Sequence, residues 1–332
     1  MTESPRKILV IQLRRIGDVI LTTPALAALK ARYPEARIDF LVEPSGAEAL
    51  EGNPHIAELL VYRSSGPLDY LRWFARLRAQ RYDWVIDYMG NPRSAFLSFF
   101  SGAALRAGPA HVGHRWAYNR RLIQSTTTQY AALEKVLVLA PLGVSSNGLD
   151  LLPKVYLLSK PAVLEDVIAL APASRKETRR WPAASYAALG RSLREKTGSR
   201  IRVFWGPGER ALAQAVVDGV GPGAELCPET PDLAAAARQL AGCRLLITNC
   251  SGTKHLASAL GVATLTIHGS SDPASWTPAH PRHGGVRLDT LFCIGCQKNA
   301  CPYALECMTQ LSPETVLAKA LALLGSAKEA RA

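Results

Sequence analysis

The sequence predicts an α/β protein made of two doubly wound halves, each with a parallel sheet. Three observations carry this. Short runs of branched apolar residues alternate with helical apolar spacing, the rhythm of strand, crossover helix and strand. That rhythm lapses over residues 151–162, where Pro153 and Pro161 interrupt a stretch of little periodicity, and then resumes. The length, 332 residues of which 48% are hydrophobic and 20% charged, suits two domains that each bury a core without disulfides.

The first strand is the apolar run at 7–13, the pattern of a buried parallel strand. Arg14-Arg15-Ile16-Gly17-Asp18 follows, and residues 19–29 then show helical spacing. Further strands are expected at 37–42, 58–62, 84–87 and near 106–108, with an arginine-rich amphipathic helix at 68–81. After the break, strands are expected at 167–172, 201–206, 245–249 and 263–268. Helices are expected at 182–197, with proline in its first turn, at 209–218, at 232–241 behind an Asp232 cap, at 254–260 and at 313–324. Open α/β sheets bind ligands beyond the carboxyl ends of their strands, so both halves are expected to face one inter-domain cleft.

Charge and composition exclude several classes. Thirty-nine Lys and Arg against 27 Asp and Glu give a net charge of +12. The excess is even: 20 against 13 in residues 1–160, and 19 against 14 in 161–332. With no block of like charge there is no basic nucleic-acid tail, and the even field suits small anionic partners or acidic lipid surfaces. The start of the chain has no apolar signal region and no stretch is long enough to cross a membrane, so a cytosolic chain with reduced cysteines is expected. Gly206-Pro207-Gly208 lacks the third glycine of a dinucleotide fingerprint, and neither a P-loop nor a nucleophile elbow is present. Dehydrogenase, P-loop kinase and α/β-hydrolase chemistries are therefore set aside.

Five blocks then fall in one order. They are Ile11-Gln12-Leu13-Arg14-Arg15-Ile16-Gly17-Asp18 with Thr22, Pro24 and Leu26; Tyr82-Asp83-Trp84-Val85-Ile86-Asp87 with Gly90 and Arg93-Ser94-Ala95; Pro172-Ala173-Ser174 with Arg179-Arg180-Trp181-Pro182 and Tyr186; Ser251-Gly252 with His255 and Ala259-Leu260-Gly261; and Gly269-Ser270-Ser271-Asp272-Pro273. Together they span nearly the whole chain and resemble the family-nine glycosyltransferases, the lipopolysaccharide heptosyltransferases. The resemblance implies a GT-B architecture of two Rossmann-like domains facing a cleft. Residues 1–155 would bind the acceptor, and residues 163–332, with a Cys-rich loop at 293–307, the nucleotide sugar. It implies inverting transfer of a heptose or related sugar from an ADP-sugar to a lipopolysaccharide core or related envelope glycan. It also implies an anionic glycolipid acceptor, peripheral contact with the inner membrane surface, no nucleic-acid partner, and no cofactor for the chemistry itself.

Roles carry over residue by residue. Inverting transfer needs a carboxylate to take the acceptor's proton. Asp18 fits, in a strand-to-helix turn whose helix dipole favours the ionised form, although a capping aspartate is the plainer local reading. The departing diphosphate needs cationic or dipolar stabilisation. Ser174, Arg179 and Arg180, the helix start Ser251-Gly252-Thr253, Lys254 and His255 are the candidate donor residues, and Glu209 resembles the family's ribose-holding acid. A solvated Arg179-Arg180 pair and a packing His255 are the bland alternatives. Arg93, Arg115 and Arg120, with Arg106 and Arg121 beside them, are candidates for acceptor charge. Cys250 stands where the family usually has aspartate, which separates this chain's donor site from the usual one. Cys293, Cys296, Cys301 and Cys307 are close enough in sequence for a structural zinc site, with reduced packing thiols as the alternative. Two other functions fit the same residues: a non-catalytic sugar-nucleotide-binding protein, and a nucleotide-sugar epimerase.

Overall fold

The computed structural model describes residues 4–63, 66–157 and 163–329. The chain divides into two compact units, Met1–Leu157 and Leu158–Ala332. Within the expected linker, 151–157 forms no helix or strand, and 158–162, with Pro161, lie outside the described residues.

The first unit runs β1 (Lys7–Ile11), α1 (Ile16–Ile20), α2 (Thr23–Arg32), β2 (Arg37–Val42), α3 (Pro44–Ala47), β3 (Glu58–Val61), α4 (Pro67–Ala79), β4 (Trp84–Asp87), α5 (Pro92–Phe100), β5 (Leu105–Pro109), β6 (Arg120–Leu122) and α6 (Ala131–Leu137). Its six parallel strands are ordered β3-β2-β1-β4-β5-β6. From Ile8 to Ile11, β1 is fully buried, because helices cover both faces of a parallel sheet.

The second unit runs β7 (Val167–Ala171), α7 (Ala183–Thr197), β8 (Arg200–Val203), α8 (Arg210–Val220), β9 (Ala224–Leu226), α9 (Leu233–Ala241), β10 (Leu245–Asn249), α10 (Gly252–Ala259), β11 (Ala263–Ile267), α11 (Pro273–Trp276), β12 (His283–Val286), α12 (Glu306–Thr309) and α13 (Pro313–Glu329). Its order, β12-β11-β10-β7-β8-β9, repeats the first unit's winding. In each sheet the first and fourth strands are neighbours, β1 with β4 and β7 with β10, and there the winding reverses. Ligands of such sheets bind at that reversal. This is the GT-B fold.

Three expectations change. The helix expected over 19–29 is two helices: α1 ends at Ile20, and Pro24 lies in the first turn of α2, since proline cannot continue a helical hydrogen-bond ladder. The strand expected at 201–206 ends at Val203. Elements α5, α6, β6, β9 and β12 were not anticipated; in β12, His283 is a buried strand residue hydrogen-bonded to Thr264 and Ser258.

Candidate active site

In the first unit the reversal brings together the segments that follow β1 and β4. Asp18 lies inside the first turn of α1, whose N-cap is Arg15. It is therefore not the capping residue. The Thr22 hydroxyl donates to the Asp18 carbonyl at 2.8 Å, closing the short helix behind it. Asp87 ends β4 fully buried and accepts from the Tyr118 hydroxyl at 2.6 Å and the Met89 amide at 2.8 Å. Burial pushes the Asp87 carboxyl up, against the pull of these donors. Gly108 makes room for Tyr118: a Cβ there would lie 2.4 Å from the ring.

The sequence reading missed Lys135. It comes from α6, and its ammonium donates to the Gln12 side-chain oxygen at 2.8 Å and lies 4.5 Å from the centre of the Tyr88 ring. The Tyr88 hydroxyl in turn donates to the Lys135 carbonyl at 2.8 Å. Burial brings Lys135 down to about 8, while the charges of Asp18 and Asp87 oppose the fall. The only sequence signal was one pair of opposite charges, Glu134-Lys135, inside the otherwise apolar stretch from Ala131 to Ala140.

The acceptor candidates separate. Arg93 starts α5 and donates to Glu43 at 2.6 Å, and Arg14 reaches the same carboxylate at 3.6 Å. Arg14, Tyr70, Asn91, Pro92, Arg93 and Phe96 line a cavity of about 510 Å³. Arg115 is exposed in the turn after β5. Arg120 instead lines a cavity with Arg6, Asp83 and Trp84, residues at the amino ends of β1 and β4. That is the opposite edge of the sheet from Asp18, because parallel strands place their ends by direction. Arg106 is turned inward, donating to the carbonyls of Ala117 and Ala103.

In the second unit the reversal gathers the donor candidates. Asn249, buried at the end of β10, donates to the Pro172 carbonyl at 2.6 Å and accepts from the Trp181 amide at 3.1 Å. One side chain thus ties the loop after β7 to the Arg179-Arg180-Trp181 segment. The Arg180 guanidinium is held by the Ser174 carbonyl. Arg179 lies 3.8 Å from the Cys250 sulfur and 6.0 Å from the centre of the Trp276 ring, and its buried Nε has no hydrogen-bond partner among the described residues. Ser251 is the N-cap of α10, yet its side chain does not cap the helix, which leaves the first-turn amides of Gly252 and Thr253 to an anion. Glu209 accepts from the Gly206 amide at 2.9 Å, which fixes the turn after β8.

Two donor candidates prove to be internal. Lys254 is fully buried and turned away from solvent, donating to the Trp276 carbonyl at 2.6 Å and approaching the Cys250 sulfur at 3.6 Å. Burial lowers its pKa. His255 packs edge-on against Trp276, and burial, with Lys254 and Arg179 nearby, holds it well below its usual range. It is a neutral ring and supplies no charge.

The cysteine loop braces this wall. The Thr178 hydroxyl donates to the Lys298 carbonyl at 2.9 Å and accepts from Ser270 at 3.0 Å, and the Gln297 amide donates to the Ser270 carbonyl. Met308 packs so closely on Gly269 that a Cβ there would lie 2.4 Å from its sulfur. Cys293, Cys296, Cys301 and Cys307 all line one cavity of about 230 Å³. Burial and the three neighbouring thiols push Cys307 up to about 11. Among the described residues no three His, Cys, Asp or Glu side chains stand where they hold one metal ion.

The family model of glycosyltransferase family 9 (heptosyltransferase) matches residues 70–308. The chain is similar to lipopolysaccharide heptosyltransferase 1 of Pseudomonas aeruginosa, at 28% identity over 96% of this chain and 98% of that one. Its fold is similar to that of a family 9 glycosyl transferase from Veillonella parvula, with a TM-score of 0.80, 24% identity and 97% of each chain covered. It is also similar to ADP-heptose lipopolysaccharide heptosyltransferase II of E. coli, with a TM-score of 0.77, 20% identity and coverage of 97% and 99%.

Proposed function

The chain belongs to glycosyltransferase family 9 and is a glycosyltransferase; from that premise we propose that it moves a heptose or related sugar from an ADP-sugar to a lipopolysaccharide core or related envelope glycan, with inversion at the anomeric carbon. The observation that carries the reading is the anion-binding corner of the second unit. There the Nε of Arg179, without a hydrogen-bond partner among the described residues, and the start of α10, which the Ser251 side chain does not cap, meet beside Cys250. Guanidinium and helix N-terminus are the two standard ways a protein stabilises a phosphate that gains charge as it leaves.

The proposed chemistry divides by unit. In the first, the Asp18 carboxylate takes the proton of the acceptor hydroxyl, whose oxygen forms the new bond to the anomeric carbon while the ADP–sugar bond breaks. Arg93 and Arg115 meet the acceptor's negative groups. In the second, Arg179 and the amides of Ser251, Gly252 and Thr253 take up the charge of the departing diphosphate, Glu209 holds the ribose, and Ser174 with Arg180 shapes the loop beneath. Lys254 and His255 support this wall from inside.

A structural zinc ion on Cys293, Cys296, Cys301 and Cys307 belongs to the same proposal. The shared cavity supports it, and binding would draw the four thiols together and deprotonate them. A glycolipid acceptor also places the chain at the cytoplasmic face of the inner membrane as a peripheral protein. Among the described residues no helix is long and apolar enough to cross a membrane.

The test supplies the purified chain with ADP-heptose and lipopolysaccharide core lacking heptose. The expected product is heavier by one heptose, appears with an equal amount of ADP, and carries the opposite anomeric configuration by NMR. Consumption of donor with no acceptor product, or retained configuration, would refute the reading.

A further inference from the structure

The first unit carries an apolar surface that the chemistry above does not use. Helix α5 buries Ser94, Ala95, Leu97 and Ser98, yet its Phe96, Phe99 and Phe100 are 42%, 41% and 41% exposed. Trp116, from the turn after β5, is 48% exposed and stands edge-on to Phe96 and Phe99, with ring centres 5.3 Å apart in both pairs. Phe74 of α4 stacks on Phe100 at 4.4 Å, and one turn before Phe74 that helix exposes Leu71, preceded by Leu68. The rings therefore form one contiguous surface across α4, α5 and the turn. Exposed apolar patches of this kind mark a docking face.

We propose that this face docks on the surface of an anionic phospholipid bilayer. Three features favour that occupant. Tryptophan and phenylalanine are the side chains that settle at the boundary of headgroups and hydrocarbon. The border is cationic: Arg115 adjoins Trp116, and Arg72 and Arg76 project from α4, all three exposed. The carboxylates nearby, Asp69 against Arg72 and Glu58 against Arg76, offset only part of this charge. A second copy of the chain is a poor occupant, since a twofold contact through the rings would set one arginine border against another. Third, Phe96 also lines the cavity that holds Arg14 and Arg93. A bilayer under the rings thus brings a lipid-borne anionic headgroup to the mouth of that cavity. This last step rests on the glycolipid acceptor proposed above; the docking itself does not.

The experiment sediments the full chain with vesicles of mixed phosphatidylglycerol and phosphatidylcholine, and with phosphatidylcholine alone. The wild type is expected to bind the mixed vesicles, to bind the neutral ones less, and to release with salt. The combined variant Phe99→Ser, Phe100→Ser and Trp116→Ser is expected to lose at least about tenfold in partition. Its turnover on a water-soluble acceptor fragment should be unchanged. Leu68→Ser with Leu71→Ser, both highly exposed, is expected to weaken partition in the same direction and serves if the ring variant does not fold. Unchanged partition in the folded variants overturns the proposal. So does a wild-type dimer that the ring variant turns into monomer. Absence of transfer to any acceptor overturns the reaction reading alone, because vesicle binding is measured without turnover.

Discussion

Replacing Lys135 by methionine should make the protein more stable at pH 7 and less active. Burial lowers this lysine from its ordinary 10.5 to about 8. A fall of that size corresponds to ~3 kcal/mol spent on keeping the ammonium charged inside the fold at pH 7. Methionine keeps the stem and removes the charge. It also removes the hydrogen bond to buried Gln12, a loss of about 1 kcal/mol, so the net gain is about 2 kcal/mol. The sign with pH follows from the lowered value. Below about pH 8 both folded and unfolded chains hold the proton, and the cost is full. Between 8 and 10.5 the folded chain releases it first, so wild-type stability rises with pH and the advantage of the variant fades. Urea denaturation read by hydrogen exchange on peptides from β1 and β4 follows the unit concerned. A variant less stable than wild type at pH 7, or a gap that stays constant from pH 7 to pH 10, would refute the argument. Turnover should fall, because Lys135 holds Gln12 and sets a positive charge near Asp18.

Three further outcomes are expected. Asp18→Asn should keep ADP affinity by calorimetry and lose at least about a hundredfold in kcat, the contribution of a general base; near-normal turnover would remove that role. Arg179→Ala should weaken ADP binding by about tenfold or more, as expected for a charge-assisted contact, while Arg72→Ala, exposed on α4, leaves it unchanged; equal losses would count against the assigned anion corner. Metal analysis of protein purified without chelator should find about one zinc per chain, and zinc should be lost in Cys293→Ser with Cys296→Ser; a metal-free wild type would mark the four thiols as packing groups.

What was legible in the sequence follows from burial. Strands β1, β4, β7 and β10 are covered on both faces, so their apolar runs stood out and the segments after them could be placed at carboxyl ends. The edge strands β6, β9 and β12 read Arg120-Arg121-Leu122, Ala224-Glu225-Leu226 and His283-Gly284-Gly285-Val286; half-exposed edges need no apolar run, and these gave none. Helix α5 was hidden for the opposite reason, since it exposes three phenylalanines and buries two serines. Among site candidates, Ser251 follows a buried strand and Arg179 stands two residues before Trp181, so both could be singled out from the sequence, and the structure brings them to one corner beside Cys250. Lys254 was read as a cation for phosphate, but nothing local in sequence tells a helix residue that faces ligand from one that faces the core. Lys135 was missed because it lies far in sequence from Gln12 and Asp18, and only the packing of α6 brings them together.

The two hydrogen bonds of Asn249 have a consequence for how such a chain changes over generations. The Pro172 loop and the Trp181 segment are clamped by the residue before Cys250, not by Cys250 itself. Position 250 can therefore be exchanged while the walls around it keep their spacing. Asn249 holds the two walls, while its neighbour Cys250 meets only the cations of that corner, Arg179 at 3.8 Å and Lys254 at 3.6 Å.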